Sequence, residues 1–399
     1  MAKKPMYAVG VDAGSQSTRC AIALIEDGSL LLLGYGESAS AGWVKGDIAD
    51  ESEVARCIVK AVREAERQAQ VSVESAVLGM GGTTIEGADS RGLHDIGRPR
   101  AFGQRDVDRS VEEATRVLLE EDRMILQLFP QFFAIDGRPG HRDPRRTIGS
   151  KLEARVHLVM CSVQEHQCLV GAANQAHLAV EETAFEAVAA AYAAILPEDR
   201  REGIALVDIG AHSTDLVVYY GDALILASSL PICGDHFTRD AAYGLKVSYE
   251  DAERLKLEYG CAILGLTSDN SFIEIPTPED RRSREAPRRK LTEILESRAE
   301  ELFQYVRQEL ARVDMERDLM AGIVLAGGGA LMPGMCEVAE QVLDCQARKA
   351  FPIGIAGWPD EICSAEWTAV AGLAMYSARL KMHTEIEGGA EGWLEKILR

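Results

Sequence analysis

The chain carries the same short pattern twice: an apolar strand ending in aspartate, a turn on glycine, hydroxyl residues, and an outgoing apolar strand. In the first half, residues 7–11 run into Asp12-Ala13-Gly14-Ser15-Gln16-Ser17-Thr18. In the second, residues 204–207 run into Asp208-Ile209-Gly210-Ala211-His212-Ser213-Thr214-Asp215. Such a repeat predicts two related α/β halves. Glycine at the turn lets backbone N–H groups face an anion, and the carboxylate can hold a hydrated magnesium ion. Two such turns facing each other would clamp one polyphosphate from both sides. A further turn, Gly327-Gly328-Gly329, follows the apolar run 323–326; alone it would be only a strand-to-helix loop.

At 399 residues the chain can hold more than one core, and 47% hydrophobic content suits a globular protein. A formal net charge of −20 argues against general nucleic-acid binding and against broad attraction to acidic lipid. The nine scattered cysteines contain no C-x-x-C pair, which fits reduced thiols and offers no zinc pattern. Asp12 interrupts the first apolar run too early for a signal peptide, and no run reaches the roughly 20 apolar residues of a spanning helix. A cytoplasmic location is the expectation.

Residues 6–37 read as three strands, with Glu26-Asp27-Gly28 turning a hairpin. Residues 51–69 have helical periodicity and 73–80 read as a buried strand. A hairpin after the first turn, in place of a helix, separates this unit from a Rossmann unit. Residues 84–163 break the pattern. The stretch 91–105 is polar and glycine-containing, 107–119 looks helical, and 132–137 and 151–162 read as strands. Residues 164–196 read as largely helical. The second half repeats the first, with Gly221-Asp222 at its hairpin. Residues 234–312 then read as a mostly helical insert with a basic stretch at 281–290 and a long helix at 291–313. A closing helix is expected at 365–380. The expected division is 1–83 with 164–200 and part of 365–380 as lobe one, 84–163 as its insert, 201–233 with 313–364 as lobe two, 234–312 as its insert, 381–392 as a flexible linker and 393–399 as an amphipathic tail.

These features, in this order, resemble the actin/sugar-kinase/heat-shock-chaperone ATPase superfamily. Within it the chain is similar to the FtsA family of bacterial actin-like cell-division proteins over nearly its full length. Gly203-Ile204-Ala205-Leu206-Val207-Asp208-Ile209-Gly210 matches the family's second phosphate strand. Pro231-Ile232-Cys233-Gly234-Asp235-His236-Phe237-Thr238-Arg239-Asp240 resembles its P-x-G-G-x-x-x-T-x-D stretch, and 251–256 with 259–262 resemble the helix and turn that follow. Residues 273–276 and 288–298 resemble the region leading into a long helix. The resemblance implies an α/β fold of duplicated actin-like (ribonuclease H-like) ATPase lobes, with inserts called 1C (84–163) and 2B (234–312). The sequence departs at Ala211-His212, where the family is glycine- and threonine-rich, and neither residue takes positive φ as cheaply as glycine.

The resemblance implies ATP and Mg²⁺. Asp12 and Asp208 would hold the ion through water. Gly14, Ser15 and Gln16 would meet the β- and γ-phosphates, and Gly210, Ser213 and Thr214 would complete the second cradle. Gly234 would approach the α- and β-phosphates, and Gly327, Gly328 and Gly329 would pass flat against the adenosine. Glu253 and Lys256, three apart on one helix face, would reach the ribose or base, or form an ordinary ion pair. Arg19 is either a phosphate contact or a solvated strand residue. Hydrolysis requires a group that positions water. Glu181 is the candidate catalytic residue, because Glu181-Glu182-Thr183-Ala184 resembles the chaperones' Glu-Pro-Thr-Ala; the alternative is an acid at a helix N-terminus. Turnover is expected to be slow or undetectable, with the nucleotide acting as a ligand that holds the lobes together.

In the tail, Trp393, Leu394, Ile397 and Leu398 share a helical face, with Lys396 and Arg399 opposite, which suits a bilayer interface. Two turns do not hold a helix in water, so folding would accompany lipid insertion, and polymerisation would multiply a weak anchor. By resemblance, 2B would receive the acidic, apolar C-terminal peptide of FtsZ, with Arg298 as the best single contact. The expected protein polymerises, sits on the inner face of the membrane at the division site, tethers FtsZ and meets other division proteins. Rival readings are a PilM-like scaffold of a pilus or secretion complex, a sugar kinase and a chaperone ATPase.

Overall fold

The computed structural model describes residues 5–276 and 283–387. Strand β1 (Met6–Ala13) runs antiparallel to β2 (Ser17–Glu26), and a two-residue turn at Asp27-Gly28 leads into β3 (Ser29–Ala39). Both turn residues take positive φ, 49° and 79°, whose twist matches that of the paired strands. A small hairpin, β4 (Trp43–Val44) and β5 (Asp47–Ile48), precedes α1 (Glu51–Ala69). Asp50 caps α1 by accepting from the N–H groups of Ser52 and Glu53. Strand β6 (Ser75–Met80) lies parallel to β1.

The insert follows as β7 (Glu86–Ala101), α2 (Gln104–Ala114), β8 (Arg123–Ile135), β9 (Arg138–His141) and β10 (Ile148–Ser162). The polar, glycine-containing stretch 91–105, expected as a break, is mostly strand: β7 pairs with β10 from Glu86↔Met160 to Ala101↔Ile148. Its polarity fits because only part of the strand is covered. Gly92 is buried under α2, where a Cβ would run into the Ser110–Ala114 backbone.

Next come α3 (Val163–Gln175), β11 (Ala179–Phe185), α4 (Glu186–Ala194) and the short α5 (Pro197–Glu202). The expectation that 164–196 is largely helical therefore fails in its middle. β11 pairs in parallel with β6, Ala179↔Ser75 through Phe185↔Met80, and tertiary pairing overrides the local preference of alanine and glutamate.

The second half holds β12 (Ile204–Ile209), β13 (Thr214–Tyr220) and β14 (Ala223–Leu230), with Gly221 and Asp222 at positive φ between the last two. Then come α6 (Gly234–Leu245), α7 (Tyr249–Tyr259), a hairpin of β15 (Phe272–Pro276) and β16 (Ser283–Pro287), and α8 (Arg288–Arg312). The chain closes with β17 (Ile323–Ala326), α9 (Met335–Leu343), β18 (Ala347–Lys349) and α10 (Thr368–Glu387). Helix α10 runs into the stretch expected as a flexible linker, 381–392. Trp393, Leu394, Ile397 and Leu398 lie outside the described residues.

Strand order makes the duplication explicit. One sheet runs β11-β6-β1-β2-β3, and its counterpart runs β18-β17-β12-β13-β14. The strands correspond position by position, so β1 and β12, the strands that end in Asp12 and Asp208, are both central. The insert's strands extend the second sheet through β7, which meets β14 at Ser228↔Glu86. Helix α10 crosses β1 at Gly10, where a Cβ would sit 2.5 Å from the Ala374 nitrogen and 2.7 Å from the Val370 oxygen. That close crossing packs α10 directly onto β1.

Candidate nucleotide cleft

The two aspartate–glycine turns face each other across a cleft of about 490 Å³. Asp12, Gly14, Ser15, Gln16 and Arg19 line it from the first half; Asp208, Gly210, Ser213, Gly234, Glu253, Lys256 and Gly327, Gly328 and Gly329 line it from the second. The turns are built alike. A Cβ on Gly14 would lie 2.9 Å from the Ser17 carbonyl oxygen, and one on Gly210 would lie 2.9 Å from that of Ser213. The first turn is braced by Ser40, whose hydroxyl donates to the Gly14 carbonyl at 2.6 Å. The second is tied to the start of α6: Gly234 N–H donates to Gly210 O (2.9 Å) and Asp235 N–H to Ala211 O (2.8 Å). Neither Ala211 nor His212 takes positive φ, so the departure from glycine strains no backbone. His212 Nδ1 lies 2.9 Å from Ser15 Oγ, a hydrogen bond between the two turns.

Thr214 does not reach the cleft. It is fully buried at the start of β13. Arg19 reaches the cleft wall but its charge is committed: it pairs with Glu37 at 2.8 Å and Glu366 at 2.9 Å, over the Trp367 ring. Lys256 and Glu253 pair at 2.7 Å, and Lys256 also donates to Thr238 Oγ1 at 2.8 Å, beside Gly234. Gly327, at φ 77°, brings the glycine turn against the Asp208 carboxylate and the Ile209 backbone, where a side chain would not fit.

Buried acid converges on the floor. Burial raises the pKa of Asp12, pushes Asp208 up to about 8 and Asp215 up to about 7, and raises Glu186 well above the usual range. Protonated Glu186 donates to Asp12, and Gly81 makes room for two of the acids: its Cβ would lie 2.7 Å from both Glu186 Oε2 and Asp215 Oδ2. Asp215 Oδ1 is buried without a partner. Uncompensated carboxylates of this kind fit a cation. Among the described residues no group of three or more acidic, imidazole or thiol side chains is placed to hold a metal ion directly.

Glu181 is not in this cleft, which corrects its expected place in the site. It lies on β11, not at a helix start, and accepts from Ser75 (2.6 Å) and Ser377 (2.9 Å) while pairing with Lys381 at 2.7 Å. The acid that this segment sends to the cleft is Glu186, the first residue of α4. The signal was present in the sequence: a short run ending Ala184-Phe185-Glu186 repeats the strand-then-acid pattern of Asp12 and Asp208.

Comparison with known proteins settles the family. The family described as Cell division protein FtsA matches residues 205–372, and the SHS2 domain inserted in FTSA matches residues 82–160. Cell division protein FtsA of Pseudomonas aeruginosa is 32% identical over 369 residues, covering 92% of this chain and 88% of that protein. That of Borreliella burgdorferi is 30% identical, covering 97% of this chain and 98% of that one. The chain belongs to the FtsA family. Among solved structures, the PilM–PilN type IV pilus biogenesis complex superposes with a TM-score of 0.68 at 16% identity, covering 93% of this chain and 98% of that one. MreB5 of Spiroplasma citri bound to ADP superposes at 0.57 and 14% identity, covering 96% and 99%. At these identities the likeness is one of fold: an actin-like ATPase architecture, here carrying the SHS2 insert of FtsA. No helix among the described residues is long and apolar enough to cross a membrane.

Proposed function

We propose that this FtsA-family protein binds ATP with hydrated Mg²⁺ between its two aspartate turns and uses it mainly to hold the lobes together. The observation that carries this is the convergence of Asp12, Asp208 and the Gly327 turn on one cleft between duplicated sheets. The nucleotide-bound MreB5 structures, with ADP and with AMPPNP, support it at the level of fold. Asp12 and Asp208 would face the ion through water, backbone N–H groups of the two turns would meet the phosphates, and the Gly327 turn with Glu253 and Lys256 would border the nucleoside. Bound magnesium would offset the buried negative charge and draw electrons from the phosphates. Glu186, which lines the cleft, would orient an attacking water. Calorimetric titration with ATP and AMPPNP, with and without Mg²⁺, tests the reading; absence of binding to either would overturn it.

The division role proposed for the protein is to polymerise and to tether FtsZ to the inner face of the membrane, with ATP as the structural ligand. Three features of 2B support a site for an acidic, apolar peptide. Arg298, its side chain 21% exposed, pairs with Asp240 and Glu301, both at 2.6 Å. Tyr243 is 89% exposed and follows Asp240 by three residues on α6. Lys290 is exposed at the start of α8. The rest of the described basic stretch has structural work: Arg284 donates to Leu245 O (2.7 Å), Arg288 to Tyr259 O (2.8 Å), and Arg289 pairs with Asp269 (2.6 Å). Loss of affinity for an FtsZ tail peptide on Arg298→Glu is the expected result; unchanged affinity removes this contact.

A further inference from the structure

We infer that the insert, although its chain leaves and re-enters the first lobe, is carried by the second lobe and turns against the first about Gly81-Gly82. The insert has a core of its own, in which Phe102, Val111, Phe133, Leu152 and Val156 pack together, so it moves as one body. Its attachments to the two lobes are unlike. Toward the second lobe they are spread out. Strand β7 joins the edge of β14 at Ser228↔Glu86. Beside that pair Gly87 brings the strands close: a Cβ there would lie 2.3 Å from the Ala227 oxygen and 2.5 Å from His157 Nε2. Farther out, Gln131 Nε2 donates to Leu224 O at 3.2 Å and to Asp89 at 3.0 Å. Arg142 pairs at 2.7 Å with Asp222, in the turn between β13 and β14.

Toward the first lobe the described bonds gather where the chain crosses. Val163 N–H donates to Asp122 O at 2.8 Å, the Thr84 hydroxyl donates to Glu165 at 2.6 Å, and Phe185 N–H donates to Gln127 Oε1 at 2.9 Å. On β8, Gln131 lies roughly 13 Å farther from the crossing than Gln127 does, at the usual rise of a strand. A cavity of about 400 Å³ lies between Leu126 and Phe129 of the insert and Tyr192, Tyr376 and Arg379 of the first lobe, so the two bodies are not packed together there. A body tied at one end rotates about that end, whereas ties at separated points prevent rotation. The crossing strand has the backbone for a pivot. Gly82 takes φ 121°, a range open to glycine, and its N–H donates to Asp215 on the cleft floor. A change in the angle between the lobes is therefore taken up at Gly81-Gly82, and the insert swings against the first lobe.

The test is pulsed electron paramagnetic resonance on the full chain. Spin labels on noncanonical amino acids replace, in pairs, three exposed residues: Arg98 of the insert, Lys60 of α1 and Glu316, which follows α8. The expected distance distribution is narrow for Arg98 with Glu316. It is several ångströms wider for Arg98 with Lys60, and as wide again for Lys60 with Glu316. Arg142→Asp combined with Gln131→Ala should broaden the first distribution, and adding Asp222→Arg should narrow it again. A narrow distribution for Arg98 with Lys60 beside a wide one for Arg98 with Glu316 would assign the insert to the first lobe. Three equally narrow distributions would mean that nothing turns, and seam variants as narrow as the native protein would mean that the seam holds nothing. Any of these overturns the inference. The widths are read without nucleotide, so they stand apart from the nucleotide reading above.

Discussion

Protonated Glu186 donates a hydrogen bond to Asp12, and the pair joins the first residue of α4 to the end of β1 on the cleft floor. A carboxylic acid kept neutral beside the aspartate proposed to face the metal would become a base only when a cation took over the aspartate's charge. Glu186→Gln should preserve Mg·ATP affinity and remove most of whatever hydrolysis the native protein shows, by about a hundredfold or more, the usual contribution of a positioned acid or base. Glu181→Gln should leave turnover unchanged and lower the melting temperature, because it loosens the Lys381 and Ser377 contacts to α10. Single-turnover measurement of phosphate release separates the two; equal turnover in Glu186→Gln would remove Glu186 from the chemistry.

Burial pushes Asp208 up to about 8 and Asp215 up to about 7, so in the free protein both hold protons that the unfolded chain releases at about pH 4. A raised acid favours the fold at low pH and increasingly opposes it as pH climbs through its folded value. Magnesium bound as proposed would reverse this by favouring the charged forms. Mg·ATP binding at pH 7 should therefore release protons, seen as a dependence of the calorimetric heat on the buffer's ionisation enthalpy. The thermal shift on adding Mg·ATP should be larger at pH 8.5 than at pH 6.5. A heat indifferent to buffer would show that these acids are already ionised.

Gly10 lies where β1 meets α10, with a Cβ position 2.5 Å from backbone. Gly10→Ala should destabilise by about 1–3 kcal/mol, the cost of overpacking a tight core. Gly265, whose Cβ would meet nothing within 4 Å, is the control, and Gly265→Ala should change stability by no more than about 0.5 kcal/mol. Chemical denaturation of the three proteins decides; equal midpoints would mean that α10 shifts at no cost.

In the insert, bonds from Arg100 hold the Asp106 carboxyl well below the usual carboxylate range, against the opposing effect of burial, with a further bond from the Gly103 N–H. A depressed acid adds stability above its unfolded pKa of about 4, and that stability is lost as pH falls through the lower folded value. Because Arg100 is half exposed, Asp106→Asn should cost only about 1 kcal/mol near neutral pH. The difference between variant and native should shrink as pH is lowered below about 4. Thermal melts at pH 7, 4 and 3 test it, and a gap that widens in acid would reverse the assignment.

Removal of residues 393–399 should abolish co-sedimentation with liposomes while leaving nucleotide affinity unchanged. Trp393, Leu394, Ile397 and Leu398 carry the membrane contact in the proposal. Full binding by the truncated protein would place membrane contact elsewhere.

Local sequence was enough to specify the repeated turns, both hairpins, helix α1 and the glycines around the cleft, because each rests on a short-range cause. An aspartate after an apolar run, an Asp-Gly or Gly-Asp pair at positive φ, and a helical apolar face need no distant partner to be read. The paired strand orders, the crossing of α10 over Gly10 and the joining of the insert to the second sheet came only from packing. So did the strand at β11, since an alanine- and glutamate-rich segment becomes a strand only when β6 offers its free edge. That one choice moved the candidate acid from Glu181 to Glu186: sheet pairing turned one carboxylate toward Lys381 and delivered the other to the cleft. The meeting of Ser15 with His212 has the same origin, because two residues so far apart in sequence are brought within hydrogen-bond reach only by the closing of the lobes.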